Sequence, residues 1–102
     1  MYVSLSQLRI SADRAPELID AFRHRAGLVE GNDGFIDLQV WQSEQDSGEI
    51  IMVSRWQNRA SFKAYMKSAD HRTSHERIDP SLQSAIELQA LRHMRTFEVV
   101  AE

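Results

Sequence analysis

The 102-residue chain contains no cysteine, which excludes disulfide bonds, thiolate nucleophiles and iron–sulfur clusters ligated by cysteine. Long apolar runs are also lacking, since none approaches the roughly 18 residues that a membrane-spanning helix requires. The residues after Met1 are typical of a strand rather than of a signal peptide. From these absences we expect an intact cytoplasmic protein with no membrane partner.

Excess positive charge is absent as well, because the formal net charge is −3 at pH 7. The arginines are scattered among acidic residues and form no basic patch, so nucleic acid is not an expected partner. Apolar residues make up 42% of the chain and charged residues 26%, which is ordinary for a globular domain. Because there is no linker or low-complexity segment, residues 1–102 are predicted to form a single domain.

Alternating or continuous apolar patterns predict four strands, at residues 3–10, 35–42, 50–56 and 91–100. In the first strand, Leu8 and Ile10 continue the alternation in a shifted phase, which predicts a bulge or twist near Gln7. In the second strand, the period of two predicts one face made of Ile36, Leu38 and Val40. The opposite face of that strand is then predicted to carry Phe35, Asp37, Gln39 and Trp41.

Helical periodicity predicts two main helices. The first begins near Pro16, which suits the first turn of a helix, and buries an apolar stripe of Leu18, Ile19, Phe22 and Ala26. The second is capped by Asn58 and carries Phe62, Tyr65 and Met66. A turn or short helix is expected at residues 82–88, and residues 45–48 are predicted to form a hairpin turn.

The resulting order is β-α-β-β-α-β, the ferredoxin-like arrangement of an α+β protein. It places both helices on one face of a four-stranded antiparallel sheet and leaves the other face uncovered. We expect this uncovered face to expose Trp41, Trp56 and Phe35, and a large exposed apolar surface usually marks an interface. A homodimer that packs two sheets face to face is therefore predicted.

Three segments, together with the order of elements, resemble one family. The segments are the turn and strand GFIDLQVW, the strand end and helix SRWQNRASFKAY, and the histidine-containing segment AYMKSADHRTSH. This pattern resembles the antibiotic-biosynthesis-monooxygenase domain over nearly the whole chain. The resemblance implies an oxidoreductase with the fold of a dimeric α+β barrel. The C-terminal half is most similar to the IsdG-type heme-degrading monooxygenases of that superfamily.

The resemblance implies a set of site residues for heme. Tyr65 and His75 stand ten positions apart, as do the family's aromatic residue and the histidine that ligates heme iron, so His75 is the expected metal ligand. Gln7 matches the place of a polar amide near bound oxygen. The chain departs from the family at two of these places, since the family has Trp where Tyr65 stands and Asn where Gln7 stands.

The same resemblance implies further contacts and partners. Heme would be both substrate and cofactor, and an external reductant would be required. Phe22 is the predicted apolar contact on the first helix. Guanidinium groups bind carboxylates in a fork geometry, so the expected partners of the heme propionates are Arg25, Arg72 and Arg77.

Other interpretations of the histidines stay open. On a helix His71 and His75 would share one face, but a zinc site lacks a third ligand, because Asp79 stands where an HExxH motif requires histidine. On a polar segment beside Glu76, His75 is also typical of a residue exposed to solvent. His71 has no counterpart in the family and is expected at the surface or at the rim of a pocket.

The sequence is therefore consistent with three functions. The first is oxidative heme degradation with release of iron. The second is cofactor-independent oxygenation of a small phenol or quinol, in which the anion of the substrate activates oxygen and His75 or His71 is the base. The third is a non-catalytic dimer that binds a small hydrophobic molecule. Members of one fold perform different reactions, so the fold alone does not choose among them.

Overall fold

Four strands and three helices make up the described part of this computed structural model, which covers residues 1–24, 29–68, 80–86 and 94–102. The strands are β1 (Tyr2–Arg9), β2 (Phe35–Gln42), β3 (Glu49–Trp56) and β4 (Arg95–Glu98). The helices are α1 (Ala15–Arg23), α2 (Arg59–Met66) and the short α3 (Pro80–Ala85), and a 3-10 turn spans Val29–Gly31. The β-α-β-β-α-β order is therefore confirmed, and α3 overlaps the turn or short helix expected at residues 82–88.

The strands form one antiparallel sheet in the order β2-β3-β1-β4. β1 lies at its centre and pairs with β3 along its full length, from Tyr2 opposite Trp56 to Arg9 opposite Glu49. On its other edge, β1 pairs with β4, where Tyr2 lies opposite Glu98. The predicted four-stranded antiparallel sheet is confirmed, with β1 as an inner strand that pairs on both edges.

The helices begin where the sequence places them. Pro16 lies in the first turn of α1, where its missing N–H costs no helical hydrogen bond. Asn58 caps α2, because its side-chain oxygen accepts a hydrogen bond from the backbone N–H of Ser61 at 2.9 Å. Within the described ranges, no helix is long and apolar enough to cross a membrane.

Most of the core lies on one side of the sheet, named here the helix side, in two clusters, whereas the buried Val53 points to the other side with Leu5. The α1 cluster gathers the buried residues Leu8, Ile10, Ala15, Leu18, Phe22, Ile50 and Leu82. The α2 cluster gathers Tyr2, Val29, Trp56 and Phe62, flanked by Phe35, Tyr65 and Met66. Each cluster therefore fixes one helix over one end of the sheet. The opposite side of the sheet is named the open side.

The predicted bulge near Gln7 is wrong. β1 keeps an unbroken register with β3 from Tyr2 to Arg9. The phase of the apolar pattern changes for another reason: Val3 and Leu5 point to the open side, whereas Leu8 points to the helix side and is buried there. Both sides of the central strand are apolar, so the shift marks a change of side and not an extra residue.

The irregularity lies in β2 instead, between Phe35 and Asp37. A bulge at Ile36 turns Phe35 to the helix side, where its ring packs edge-on against Trp56 at a centroid distance of 5.4 Å. Trp56 is itself fully buried on the helix side. Of the three aromatic residues predicted to cover the open side, only Trp41 lies there, with 46% of its surface exposed.

The predicted hairpin turn at residues 45–48 is confirmed, and an ion pair between Asp46 and Arg9 fastens it to β1. The hydrogen bond from Arg9, followed by one from the backbone N–H of Gly48, lowers the pKa of Asp46 below its usual value. A carboxylate with a lowered pKa stabilises the fold above its unfolded-state pKa. This contribution is lost as the pH falls through the folded-state pKa.

Gly34, the residue before β2, lies close to α2, and a substitution there tests this close approach. Its φ is +82°, and a Cβ there would collide with the side chain of Ser61 on α2. We therefore expect Gly34→Ala to lower the free energy of unfolding by about 1–3 kcal/mol, because both backbone strain and a clash result. Urea denaturation measures the change.

Gly31→Ala is the matched control, because a Cβ at Gly31 would meet no atom within 4 Å. Its effect should stay within about 0.5 kcal/mol. Equal destabilisation by both substitutions would contradict the close approach of Gly34 to α2.

Candidate functional site between the sheet and the helices

A gap in burial marks the middle of the helix side. Along β1, the residues that point to this side are buried at both ends of the strand, with Tyr2, Ser4 and Leu8 at 7%, 4% and 5% exposure. Ser6 lies among them and is only partly buried. Across the strand, Met52 lies opposite Ser6 and is also only partly buried.

This gap separates the two clusters of the core. The α1 cluster covers the end of the sheet at Leu8, and the α2 cluster covers the end at Trp56. Between them the sheet presents Ser6, Met52 and Ser54, which we name the central floor. The residues of the central floor are only partly buried, unlike the helix-side residues at both ends of β1 and β3.

Tyr65 lies near the end of α2, on a base of other aromatic rings. Its ring centroid is 5.3 Å from that of Trp56, with an angle of 31° between the planes. Phe62 packs edge-on against the same indole at 5.9 Å. Trp56 also donates a hydrogen bond from Nε1 to Ser54 Oγ at 2.9 Å. Trp56, on which Tyr65 packs, is therefore hydrogen-bonded directly to a residue of the central floor.

Part of Tyr65 is accessible from outside. It lines an open depression of about 370 Å³ between α2 and the segment before β2, together with Asn32, Asp33, Ala60, Ser61 and Ala64. This volume is within the range of small-molecule sites. The depression is shallow and partly polar, so it offers a surface for a ring or a polar edge rather than an enclosed cavity.

Phe22 lies in the α1 cluster, where it is 8% exposed and packs with Leu18. It is on the same side of the sheet as Tyr65, as a shared ligand site requires. Its demonstrated contacts are those of a core residue, so its contact with a cofactor stays a prediction.

Gln7 lies on the opposite side of the sheet from Tyr65 and Phe22. It pairs with Ile51, and its Nε2 donates a hydrogen bond to Glu49 Oε2 at 3.2 Å. A ligand between the sheet and the helices of one protomer therefore meets Ser6, the preceding residue, instead of Gln7. The sequence contained the signal for this: Ser6 has the same strand parity as Leu8 and Ile10, the most apolar part of the strand.

The remaining predicted site residues, Arg25, His71, Arg72, His75 and Arg77, lie outside the described residues. Within residues 1–24, 29–68, 80–86 and 94–102, no group of three or more histidine, aspartate or glutamate side chains could hold a metal ion. The roles of the two histidines and three arginines outside the described residues therefore stay predictions.

The open side carries a second candidate surface. Its centre is apolar, with Leu5 opposite Val53, and Trp41 and Phe97 are 46% and 39% exposed. Arg55 and Asp37 form an ion pair at 3.3 Å on this side. Asp37 Oδ1 is buried and accepts no hydrogen bond from the residues that the structure describes.

Comparison with known proteins finds one matching family model and several relatives. The family model described as antibiotic biosynthesis monooxygenase matches residues 1–77. A heme-degrading monooxygenase of Halalkalibacterium halodurans is 30% identical over 79 residues, which are 76% of this chain and 67% of that protein. The chain spans between 60% and 67% of the length of the curated relatives that it matches.

Solved structures show the same fold in proteins of different chemistry. The heme-degrader MhuD from Mycobacterium tuberculosis, solved with two hemes bound in its active site, has a TM-score of 0.79 and 22% identity over 100% of this chain and 98% of that one. SnoaB from Streptomyces nogalater, a cofactor-independent oxygenase, has a TM-score of 0.75 and 9% identity over 99% and 94% of the two chains. At these identities the likeness establishes the fold and not the reaction.

The packing of Tyr65 can be tested by truncation. Tyr65→Ala removes a half-buried ring from Trp56 and should lower the free energy of unfolding by about 1–3 kcal/mol. Tyr65→Phe keeps the stacked ring and should cost less. Urea denaturation, with near-ultraviolet circular dichroism as a probe of Trp56, measures both.

Lys63→Ala is the control on the same helix, because Lys63 is exposed and its loss should change stability by no more than about 0.5 kcal/mol. If Tyr65→Ala cost as little as Lys63→Ala, the ring would not be packed on Trp56.

Proposed function

Because the chain belongs to the antibiotic biosynthesis monooxygenase family, we propose that it is a monooxygenase that degrades heme oxidatively and releases its iron. The observation that carries this proposal is the placement of Tyr65, an accessible aromatic ring on a buried aromatic base beside the central floor. A flat, largely apolar ring system is the kind of ligand that such a surface suits. The identity of 30% with a heme-degrading monooxygenase supports the choice of heme.

The chain has a residue for each part of a heme molecule. Tyr65 would lie against the macrocycle, and Phe22 would touch its apolar edge from α1. His75, which follows α2 in the sequence, would ligate the iron, since a neutral imidazole suits iron. Arg25, two residues beyond the end of α1, would bind a propionate through its guanidinium group.

Bound heme would supply the iron at which oxygen is activated and the ring carbon that is oxidised, with electrons from an external reductant. The protein would position the ring against Tyr65 and exclude water from it, which strengthens the electrostatic interactions in the site. The family's tryptophan is larger than Tyr65, so this chain would press less on the ring. We therefore expect slower or altered oxidation.

A second function is supported by the central floor. Ser6 and Ser54 offer hydroxyl groups to the helix side, and hydroxyls hydrogen-bond readily to the oxygen of a phenol or quinol. Cofactor-independent oxygenation of such a substrate, with His75 or His71 as base, is therefore the alternative.

Titration of the protein with hemin tests the first function. We expect a Soret band of the bound ring and quenching of Trp56, followed in a Trp41→Phe variant so that Trp56 is the remaining indole. His75→Ala should abolish the spectrum of histidine-ligated heme, because it removes the iron ligand. His71→Ala is the matched control and should leave the spectrum largely intact.

If both histidine variants lost the spectrum of histidine-ligated heme equally, or if neither lost it, His75 would not be the specific iron ligand. A wild-type protein that binds no heme but consumes oxygen with a quinol would replace the first function by the second, provided that His75→Ala suppresses the consumption.

We also propose that a second copy of the chain covers the open side and completes a dimeric barrel. The open side has no helix over it among the described elements, yet it exposes Trp41 and Phe97. Arg55 and Asp37 give it charges of both signs, which suits a surface that meets its own copy. Asp37 Oδ1, buried and unpaired within the described residues, would gain a donor from the second copy, since an unpaired buried oxygen is costly.

Sedimentation at micromolar concentration tests this assembly. Trp41→Asp should convert a wild-type dimer to a monomer, because it buries a charge at an apolar contact. Ala12→Asp, at an exposed position in the turn before α1, is the control and should remain dimeric. A monomeric wild-type protein would contradict the proposal.

A further inference from the structure

We propose that one exposed face of α2 docks a small acidic electron-transfer protein, which supplies electrons to the ligand beside Tyr65. The inference rests on the proposed function, because oxidative degradation of heme requires an external reductant. The face consists of Arg59, Lys63 and Lys67 and is named here the basic stripe.

The basic stripe gathers charges that stand apart in the sequence. Arg59 and Lys63 lie in α2, and Lys67 follows its last residue. All three are exposed, and they include both lysines of the chain. Residues four apart on a helix lie one above the other. Three positive charges therefore line one face of α2, in a chain whose net charge is −3.

The basic stripe has no acidic partner in the part of the chain that the structure describes. α2 itself contains no acidic residue. The ion pairs between described residues involve other basic side chains, on β1, β3 and α1 and in the turn before α1. Its charges are therefore available to a partner of opposite sign.

The charges of α1 and α2 are arranged in contrasting ways. α1 has Glu17 in its first turn and Arg23 in its last turn, as the helix dipole favours. α2 instead begins with Arg59, where the dipole favours an acid, and Lys63 follows at a spacing where like charges repel. The basic stripe thus lowers the stability of α2 with no compensating contact among the described residues. This conflict with local rules indicates a role outside the fold.

The basic stripe borders the depression in which Tyr65 is accessible. Ala60 and Ala64 line this depression. Ala60 stands three residues before Lys63, and residues at this spacing are neighbours on a helix surface. Ala64 and Lys67 have the same relation. Since the intervening side chains are only methyl groups, a protein that contacts the lysines also reaches the edge of the depression.

Charge complementarity decides the kind of partner. Small electron-transfer proteins such as plant-type ferredoxins and flavodoxins have acidic surfaces, and their encounters with other proteins are small and steered by charge. A reduced ferredoxin gives up one electron, so its cluster is oxidised as the ligand bound to this protein is reduced by one electron. Asp33, on the other wall of the depression, would repel an acidic partner and so favours its contact with α2.

Titration of the ligand-free protein with oxidised plant-type ferredoxin tests docking without turnover. Surface plasmon resonance should show binding at about 0.01 M salt that weakens about tenfold at about 0.15 M salt, because the Debye length falls from about 30 Å to about 8 Å. Lys63→Glu should weaken the binding at low salt about tenfold, because it reverses an attracting charge. Arg23→Glu, the same change at an exposed position of α1, is the matched control and should stay within about twofold of the wild type.

Arg59→Glu separates docking from stability. It places an acid at the start of α2 and an opposite charge one turn before Lys63, so the urea midpoint should rise. Ferredoxin binding should fall about tenfold in the same variant. A lower urea midpoint with unchanged ferredoxin binding would show that Arg59 serves the fold, and would overturn its place in the docking surface.

A comparison of reductants distinguishes this inference from the proposed function. With reduced ferredoxin, Lys63→Glu should degrade heme about tenfold more slowly than the wild type. With ascorbate, which requires no docking, the two proteins should be equal.

The docking surface would be overturned, while heme degradation stood, if the wild type bound neither ferredoxin nor flavodoxin, or if Arg23→Glu weakened binding as much as Lys63→Glu. Binding to phosphatidylserine vesicles, with none to either protein, would overturn the choice of partner. Absence of heme degradation with both reductants would overturn the proposed function, and ferredoxin binding to the ligand-free protein would still decide the docking surface.

Discussion

The indole of Trp56 is completely buried at the end of β3, and it contacts the rings of Phe35, Phe62 and Tyr65. Its N–H is satisfied by Ser54, so a large polar-edged ring is buried without an unpaired donor. α2 is held against the sheet by these contacts, and the bulge in β2 is what brings Phe35 to the same side. The position of Tyr65, and with it the candidate site, depends on this arrangement.

The sequence was sufficient to predict the elements and their order. The Asn58 cap, the turn at residues 45–48 and the sheet all follow from local rules of capping, turn chemistry and apolar periodicity. These features depend on residues close together in the chain, and for that reason a pattern of residues can reveal them.

The alternation of apolar residues does not determine which side of the sheet meets the helices. A period of two shows that side chains alternate, but it does not show which set meets the helices when both sets contain apolar residues, as in β1. The bulge at Ile36 has no signature in the alternation, so a period of two predicts the wrong side for Phe35. Polarity favours Gln7 for the family position, whereas strand parity places Ser6, and not Gln7, on the same side as Leu8. The expected ligands His75 and Arg25 lie outside the described residues, so that part of the site rests on the sequence alone.

Ser6 and Gln7 are consecutive residues of the central strand, yet they serve opposite surfaces, one facing the candidate ligand site and the other the proposed dimer contact. A slip of β1 by a single residue would exchange them and spoil both surfaces at once. The end of β1 is pinned against such a slip by the Arg9–Asp46 ion pair and by the hydrogen bond from Ile10 N–H to the carbonyl of Gly48 at 3.0 Å. The turn at residues 45–48, at the opposite end of β3 from Trp56, thus fixes the register of β1 and with it the side of the sheet to which Ser6 and Gln7 point.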